Sequence, residues 1–168
     1  MKRLVLASVS LCALLTGLWT VLAAPTNFAG TWSLDKQKSE GLQGPMADID
    51  ITMTVTQDDK TLAVETKYTG GDREIPTQKI TYKLDGSETQ ADFGGMIPGK
   101  GTISGKWVGD GKQVELHTVR NVNFQGNEAT IKVNETWDLI EGGKVLQVKR
   151  SVDFGQGQLD SKLIFNKK

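Results

Sequence analysis

Glu135 and Arg150 are the residues of this chain whose chemistry most needs an explanation. A two-residue turn at Gly142-Gly143 sets them directly opposite each other, on a face otherwise made of Val133, Trp137, Val148 and Val152. A carboxylate and a guanidinium on an apolar face are costly unless each satisfies the other. Three chemistries fit the pair: a structural ion pair that fixes strand register, a polar anchor for a ligand headgroup, and a carboxylate acting as acid or base. If Gln125-Gly126 forms the preceding turn, Leu116 flanks Glu135, and Arg120 points into the same interior one strand-end away. Tyr82, Trp107, Trp137, Phe154 and Phe165 share that inward face, where aromatic rings either fill a core or line a cavity for an apolar molecule.

Other reactive chemistry finds little support. His117 is the single histidine, and the same register turns it outward beside Ser104 and Asn134. Cys12 is the single cysteine and lies in the N-terminal apolar run. A zinc site, a cysteine nucleophile or a Ser-His-Asp triad is therefore not expected, and no cofactor is implied. Gly109-Asp110-Gly111-Lys112 reads as a hairpin turn, since a phosphate loop needs greater length and a following helix.

The elements that position these residues are strands. In the Gly142-Gly143 register one face pairs Leu139 with Leu146, Trp137 with Val148, Val133 with Val152 and Ile131 with Phe154. The other pairs Asp138 with Gln147, Thr136 with Lys149, Asn134 with Ser151 and Lys132 with Asp153. A slip of one residue would turn every apolar side chain outward. Around Asp110-Gly111, Trp107 faces Val114 and Lys106 meets Glu115. Around Asp85-Gly86 the expected pairs are Tyr82 with Thr89, Ile80 with Ala91, Lys83 with Glu88 and Lys79 with Asp92. Around Asp58-Asp59 they are Val55 with Leu62, Met53 with Val64 and Ile51 with Thr66, with Asp50 beside Lys67. Adding Phe28 to Leu34 and Leu159 to Asn166 gives about ten strands joined by short links. The stretch from Asp35 to Asp48 could carry a turn or two of helix, but Gly41, Gly44 and Pro45 argue for a loop.

The N-terminus reads as an export signal: Met1-Lys2-Arg3, an apolar run from Leu4 to Ala24, and Val21-Leu22-Ala23 before a cleavage point. Residues 1–23 are thus expected to be a signal peptide and residues 24–168 one domain, periplasmic or secreted and not inserted in a membrane once cleaved; an uncleaved membrane anchor is the alternative, since the apolar run is near the length of a span. Without Lys2 and Arg3 the 20 basic residues become 18, against 20 acidic ones. A near-neutral chain lacks the basic surface that nucleic-acid binding needs.

An up-and-down meander with one apolar and one polar face buries the former by closing on itself. The expected fold is therefore all-β, a single antiparallel barrel with an apolar interior; a flattened two-sheet sandwich is the alternative. On the first strand, Asn27-Phe28-Ala29-Gly30-Thr31-Trp32 resembles the opening motif of the calycins, the lipocalins and fatty-acid-binding proteins. Ten strands are closer to the fatty-acid-binding barrel. Gly-Thr-Trp with Lys38-Ser39 is similar to exported bacterial lipocalin-like domains. The resemblance implies that Gly30 lets the strand bend and that Trp32 plugs one barrel end. Two features depart from it: the helical lid has no room between Leu34 and Ile49, and Leu163-Ile164-Phe165 replaces the Arg-x-Tyr anchor of the last strand.

The function expected is the holding of a small apolar or amphipathic ligand, without turnover, by Tyr82, Trp107, Arg120, Glu135, Trp137, Arg150 and Phe154. A barrel enzyme of isomerase or cyclase type using Glu135, and a structural or protein-binding envelope domain, are the alternatives. Phe93 to Gly99, glycine-rich with Met96 and Ile97, could cover one barrel mouth as a portal or lie as a plain loop against the rim.

Overall fold

A computed structural model describes residues 24–71, 74–124 and 126–168. The expected signal peptide, residues 1–23, lies outside the described residues. Ten strands follow in order: β1 (Gly30–Leu34), β2 (Asp50–Gln57), β3 (Thr61–Thr69), β4 (Gln78–Lys83), β5 (Thr89–Phe93), β6 (Gly99–Val108), β7 (Gln113–Phe124), β8 (Asn127–Ile140), β9 (Val145–Asp153) and β10 (Gln158–Lys167). They form one antiparallel sheet in the order β4-β3-β2-β1-β10-β9-β8-β7-β6-β5. The first strand pairs with the last, Trp32 opposite Lys167, and rolls the sheet into a nearly closed up-and-down barrel. The sheet keeps two edges, the short strands β4 and β5, and short edge strands discourage pairing with other chains.

Three ladders follow the turn chemistry of the sequence. Across β8 and β9, Glu135 faces Arg150 and Trp137 faces Val148, and the ladder ends at Ile140 with Val145. Glu141–Gly143 then coil into a short 3-10 turn. Across β7 and β8, Leu116 faces Glu135, and across β6 and β7, Trp107 faces Val114. Lys106 and Glu115 meet at 3.0 Å on the outer wall.

Two hairpins differ from the expectation. In β2–β3, Val55 pairs with Val64, Met53 with Thr66 and Ile51 with Tyr68, a shift of two residues. The turn is centred on Asp59-Lys60, because the Asp58 side chain accepts from the backbone N–H of Lys60 (2.8 Å) and Thr61 (2.7 Å). An even shift preserves the faces, so Ile51, Met53 and Val55 stay buried. Asp50 accordingly pairs with Thr69 rather than Lys67, and its carboxylate meets Lys36 at 2.8 Å.

The Asp85-Gly86 hairpin does not form: β4 and β5 are the two unpaired edges of the sheet. Tyr82 pairs with Leu62, Thr89 with Ile103, Lys79 with Glu65 at 3.0 Å and Asp92 with Lys100 at 3.5 Å. After Leu84 the chain is captured by β6 instead, through a bridge between Asp85 and Lys106 and a Gly86 N–H to Gly105 C=O bond of 2.8 Å. Gly105 makes this possible. A Cβ there would lie 2.9 Å from the Lys83 carbonyl oxygen and 3.2 Å from the Tyr82 Cβ.

The segment read as a loop contains one helical turn, Pro45–Asp48. Between β1 and that turn the chain runs beside β10: Glu40 exchanges backbone hydrogen bonds with Lys162, and the Ser39 hydroxyl accepts from the Ile164 N–H.

One end of the barrel is sealed from inside. Phe28 and Trp32 are fully buried, and the Trp32 indole N–H donates to the Phe28 carbonyl at 2.9 Å. Phe28 stacks on Trp107 and meets Trp137 edge-on, each at 6.1 Å between centroids. Gln57 holds the incoming segment, accepting from the Phe28 N–H and donating to the Thr26 carbonyl, both at 2.9 Å. Gly30, with φ 145°, supplies the backbone geometry that lets the chain leave the seal and enter β1.

Candidate functional site

Above that seal the barrel holds a cavity of about 820 Å³, large enough for a drug-sized or lipid-sized molecule. The ladders set its rows. Val114, Trp137 and Val148 form the lowest row across β7, β8 and β9, and Leu116, Glu135 and Arg150 the next. Thr118, Val133 and Val152 follow, and Arg120 stands beside Ile131 nearer the mouth. At the usual strand rise, Arg120 leaves the wall about 13 Å above the Leu116 row.

Glu135 and Arg150 do face each other, but not as a tight pair. The Arg150 Nε lies 3.4 Å from Glu135 Oε1, without an alignment that makes a hydrogen bond, and among the described residues this buried atom has no hydrogen-bond acceptor. Its Nη1 reaches the sulfur of Met46 at 3.5 Å, a weak acceptor. Glu135 Oε2 accepts from the Trp137 indole N–H at 2.9 Å. The carboxylate is therefore held by its neighbours, while the guanidinium keeps donor capacity toward the cavity.

Arg120 behaves differently. Its Nη1 donates to the Ile97 carbonyl at 2.6 Å and its Nη2 to Gln78 Oε1 at 3.3 Å. The guanidinium sits 4.2 Å above the centre of the Phe93 ring, a favourable cation–π placement. Burial works against its charged form, and the neighbouring Arg150 charge adds to that effect. Among the described residues the cavity lining thus carries two cations, Arg120 and Arg150, and three carboxylates, Glu135 within the wall and the exposed Asp48 and Glu74.

Tyr82 lies deep in the cavity, its hydroxyl 3.2 Å from Thr118 Oγ1. Burial, reinforced by the Glu135 charge, pushes its phenol up to about 12. Tyr68 lines the upper wall, and burial raises its phenol as well. Both are neutral hydrogen-bonding groups at neutral pH.

Of the seven residues expected to contact a ligand, six line this cavity: Tyr82, Arg120, Glu135, Trp137, Arg150 and Phe154. Phe154 is at the rim and 43% exposed, beside Leu159 at the same exposure, because β9 ends at Asp153. Trp107 belongs to the seal, stacked on Phe28. Tyr68, Gln78 and Met46 also line the cavity. Tyr68 shares the alternation of Leu62, Val64 and Thr66 and could have been found from it, whereas no local pattern brings Met46 to Arg150. His117 is on the outer wall, its Nδ1 2.7 Å from Asn134 Oδ1. Among the described residues no three His, Cys, Asp or Glu side chains gather as a metal site.

No family model matches the sequence, and no curated protein matches it. Solved structures do. A zebrafish ileal bile acid-binding protein complexed with cholic acid aligns over 84% of this chain and 98% of its own, with 15% identity and a TM-score of 0.55. Fatty-acid-binding protein 1 of Echinococcus granulosus aligns over 83% of this chain and 96% of its own, with 13% identity and a TM-score of 0.53. At such identities the likeness is one of fold: this chain shares the ten-stranded, nearly closed barrel of those bile-acid- and fatty-acid-binding proteins.

Proposed function

We propose that the protein is an exported carrier that holds a small amphipathic molecule in its barrel without chemically altering it. The apolar part of the ligand lies along Ile51, Val64, Ile80, Val133 and Val148, and its acidic group meets Arg150 and Arg120. The observation that carries this reading is the Arg150 guanidinium, which lines the cavity and, among the described residues, donates its one hydrogen bond to the Met46 sulfur. A charged donor left on so weak an acceptor gains free energy from an anionic ligand oxygen. Both Glu135 oxygens already face Trp137 or Arg150, which suits a carboxylate held by its neighbours rather than one that exchanges protons with a substrate. The fold neighbours, named for bile acids and fatty acids, support the choice of ligand class.

Binding of a fluorescent long-chain fatty acid and of its neutral alcohol analogue tests the reading. Arg150→Met should weaken the acid by about 10- to 100-fold, the worth of a charge-assisted hydrogen bond, and leave the alcohol within about twofold. Equal losses for both would reject an acid anchor. Native mass spectrometry of protein from its own host, followed by lipid extraction, tests occupancy: a repeatedly empty barrel counts against the carrier. The export step rests on the sequence of residues 1–24. A mature mass beginning at Ala24 or Pro25 is its expected readout.

A further inference from the structure

Among the described residues the sheet that walls the cavity is broken between β4 and β5, which do not pair. The loop after β5 lies across it. Gly95, Met96 and Ile97 line the cavity. Gly95 rests against the far side of the break: a Cβ on it would be 3.1 Å from Gln78 Oε1 on β4 and 3.1 Å from Tyr68 Cε2 on β3. Among the described residues, no backbone hydrogen bond outside the strand ladders ties residues 94–98 to β3 or β4. The tie is a side chain. Arg120 holds the Ile97 carbonyl on the loop and Gln78 on β4 with one guanidinium, and lies over Phe93 at the loop's base.

We propose that Gly94–Pro98 is the gate through which ligand enters and leaves, that Arg120 is its latch, and that the acidic group of the ligand is the key. The inference rests on the carrier reading and adds how the carrier opens. A carboxylate is a stronger acceptor for a guanidinium than a neutral amide oxygen, so it displaces Ile97 and Gln78 from Arg120 and frees the loop. A neutral molecule of the same length offers no such exchange and meets a fastened gate. The latch therefore selects for acids by rate as well as by affinity.

The test fastens the gate by other means. A Cβ at position 95 would stand 3.3 Å from the Gln78 Cβ, near the separation of a disulfide. The double variant Gly95→Cys, Gln78→Cys, in a Cys12→Ser background, is measured oxidised and reduced with a fluorescent long-chain fatty acid. Oxidation should slow association and dissociation at least about tenfold, as loss of a lid motion does, and reductant should restore both. Identical rates in a protein shown to be cross-linked would overturn the gate while leaving the carrier standing. If the reduced protein and the parent chain bind no ligand at all, carrier and gate fall together.

Arg120→Met in the otherwise unchanged chain supplies a second readout that needs no cross-link. Amide exchange at residues 94–97 should accelerate about tenfold or more while β9 and β10 keep their protection. The neutral alcohol should then enter as fast as the acid. Unchanged exchange in this loop would overturn the latch.

Discussion

At the scale of single residues, charge placement separates a binding site from a catalytic one. Glu135 competes with a ligand for Arg150, so Glu135→Gln should tighten binding of a fatty acid several-fold, by about 1 kcal/mol, in the same fluorescence titration. An enzyme depending on that carboxylate would lose turnover instead. The two tyrosines of the chain give a pH signature. Burial sets the Tyr82 phenol at about 12 in the folded protein and raises Tyr68 as well, against about 10 for an exposed phenol. The unfolded chain thus releases these protons first, and stability should be fully present below about pH 10 and fall as pH rises toward 12. Phenolate absorbance should stay low at about pH 10 in the native protein and appear on adding denaturant. The facing of Glu135 and Arg150 was legible in the sequence, because Gly142-Gly143 fixes the register. The loose contact between them was not: it depends on Met46 and Trp137, which reach Arg150 and Glu135 only in the folded barrel.

Among the elements, the hairpins at Asp110-Gly111, Gln125-Gly126 and Gly142-Gly143 kept the register their spacing implies, and those at Asp58-Asp59 and Asp85-Gly86 did not. Asp58-Asp59 lacks glycine, and the Asp58 carboxylate chooses the turn by binding two backbone N–H groups. Its carboxyl is held below the usual range chiefly by the Lys60 N–H, then by Thr61. That support is present above the ordinary carboxylate range and is lost as pH falls through the lowered value, so amide exchange at Lys60 and Thr61 should rise in acid. At Asp85-Gly86 the turn signal was present, yet β6 captures the outgoing chain. Turn residues report local geometry, and here a non-local partner is better placed. Gly105→Val tests the closure: its side chain would strike the Lys83 carbonyl and should cost about 1–3 kcal/mol. A urea midpoint that falls with an unchanged slope is the expected result.

For the molecule as a whole, the seal and the β1–β10 pairing carry the fold. Phe28 is fully buried between two tryptophans, so Phe28→Ala should destabilise by about 3–5 kcal/mol, read from urea unfolding. Because β1 must find β10 at the far end of the chain, contact order is high and refolding should take milliseconds to seconds. By itself the sequence determined the strand faces, three of the ladders, the all-β barrel and the inward position of Glu135, Arg150 and Arg120. Alternation of side chains and turn residues act over a few neighbouring positions, and those features are set at that range. Only the tertiary structure decided where the barrel stays unpaired, that Trp107 belongs to the seal, and which segments Arg120 and Arg150 touch. Each of those depends on how a rolled sheet brings residues from distant strands together, and no local pattern encodes that curvature.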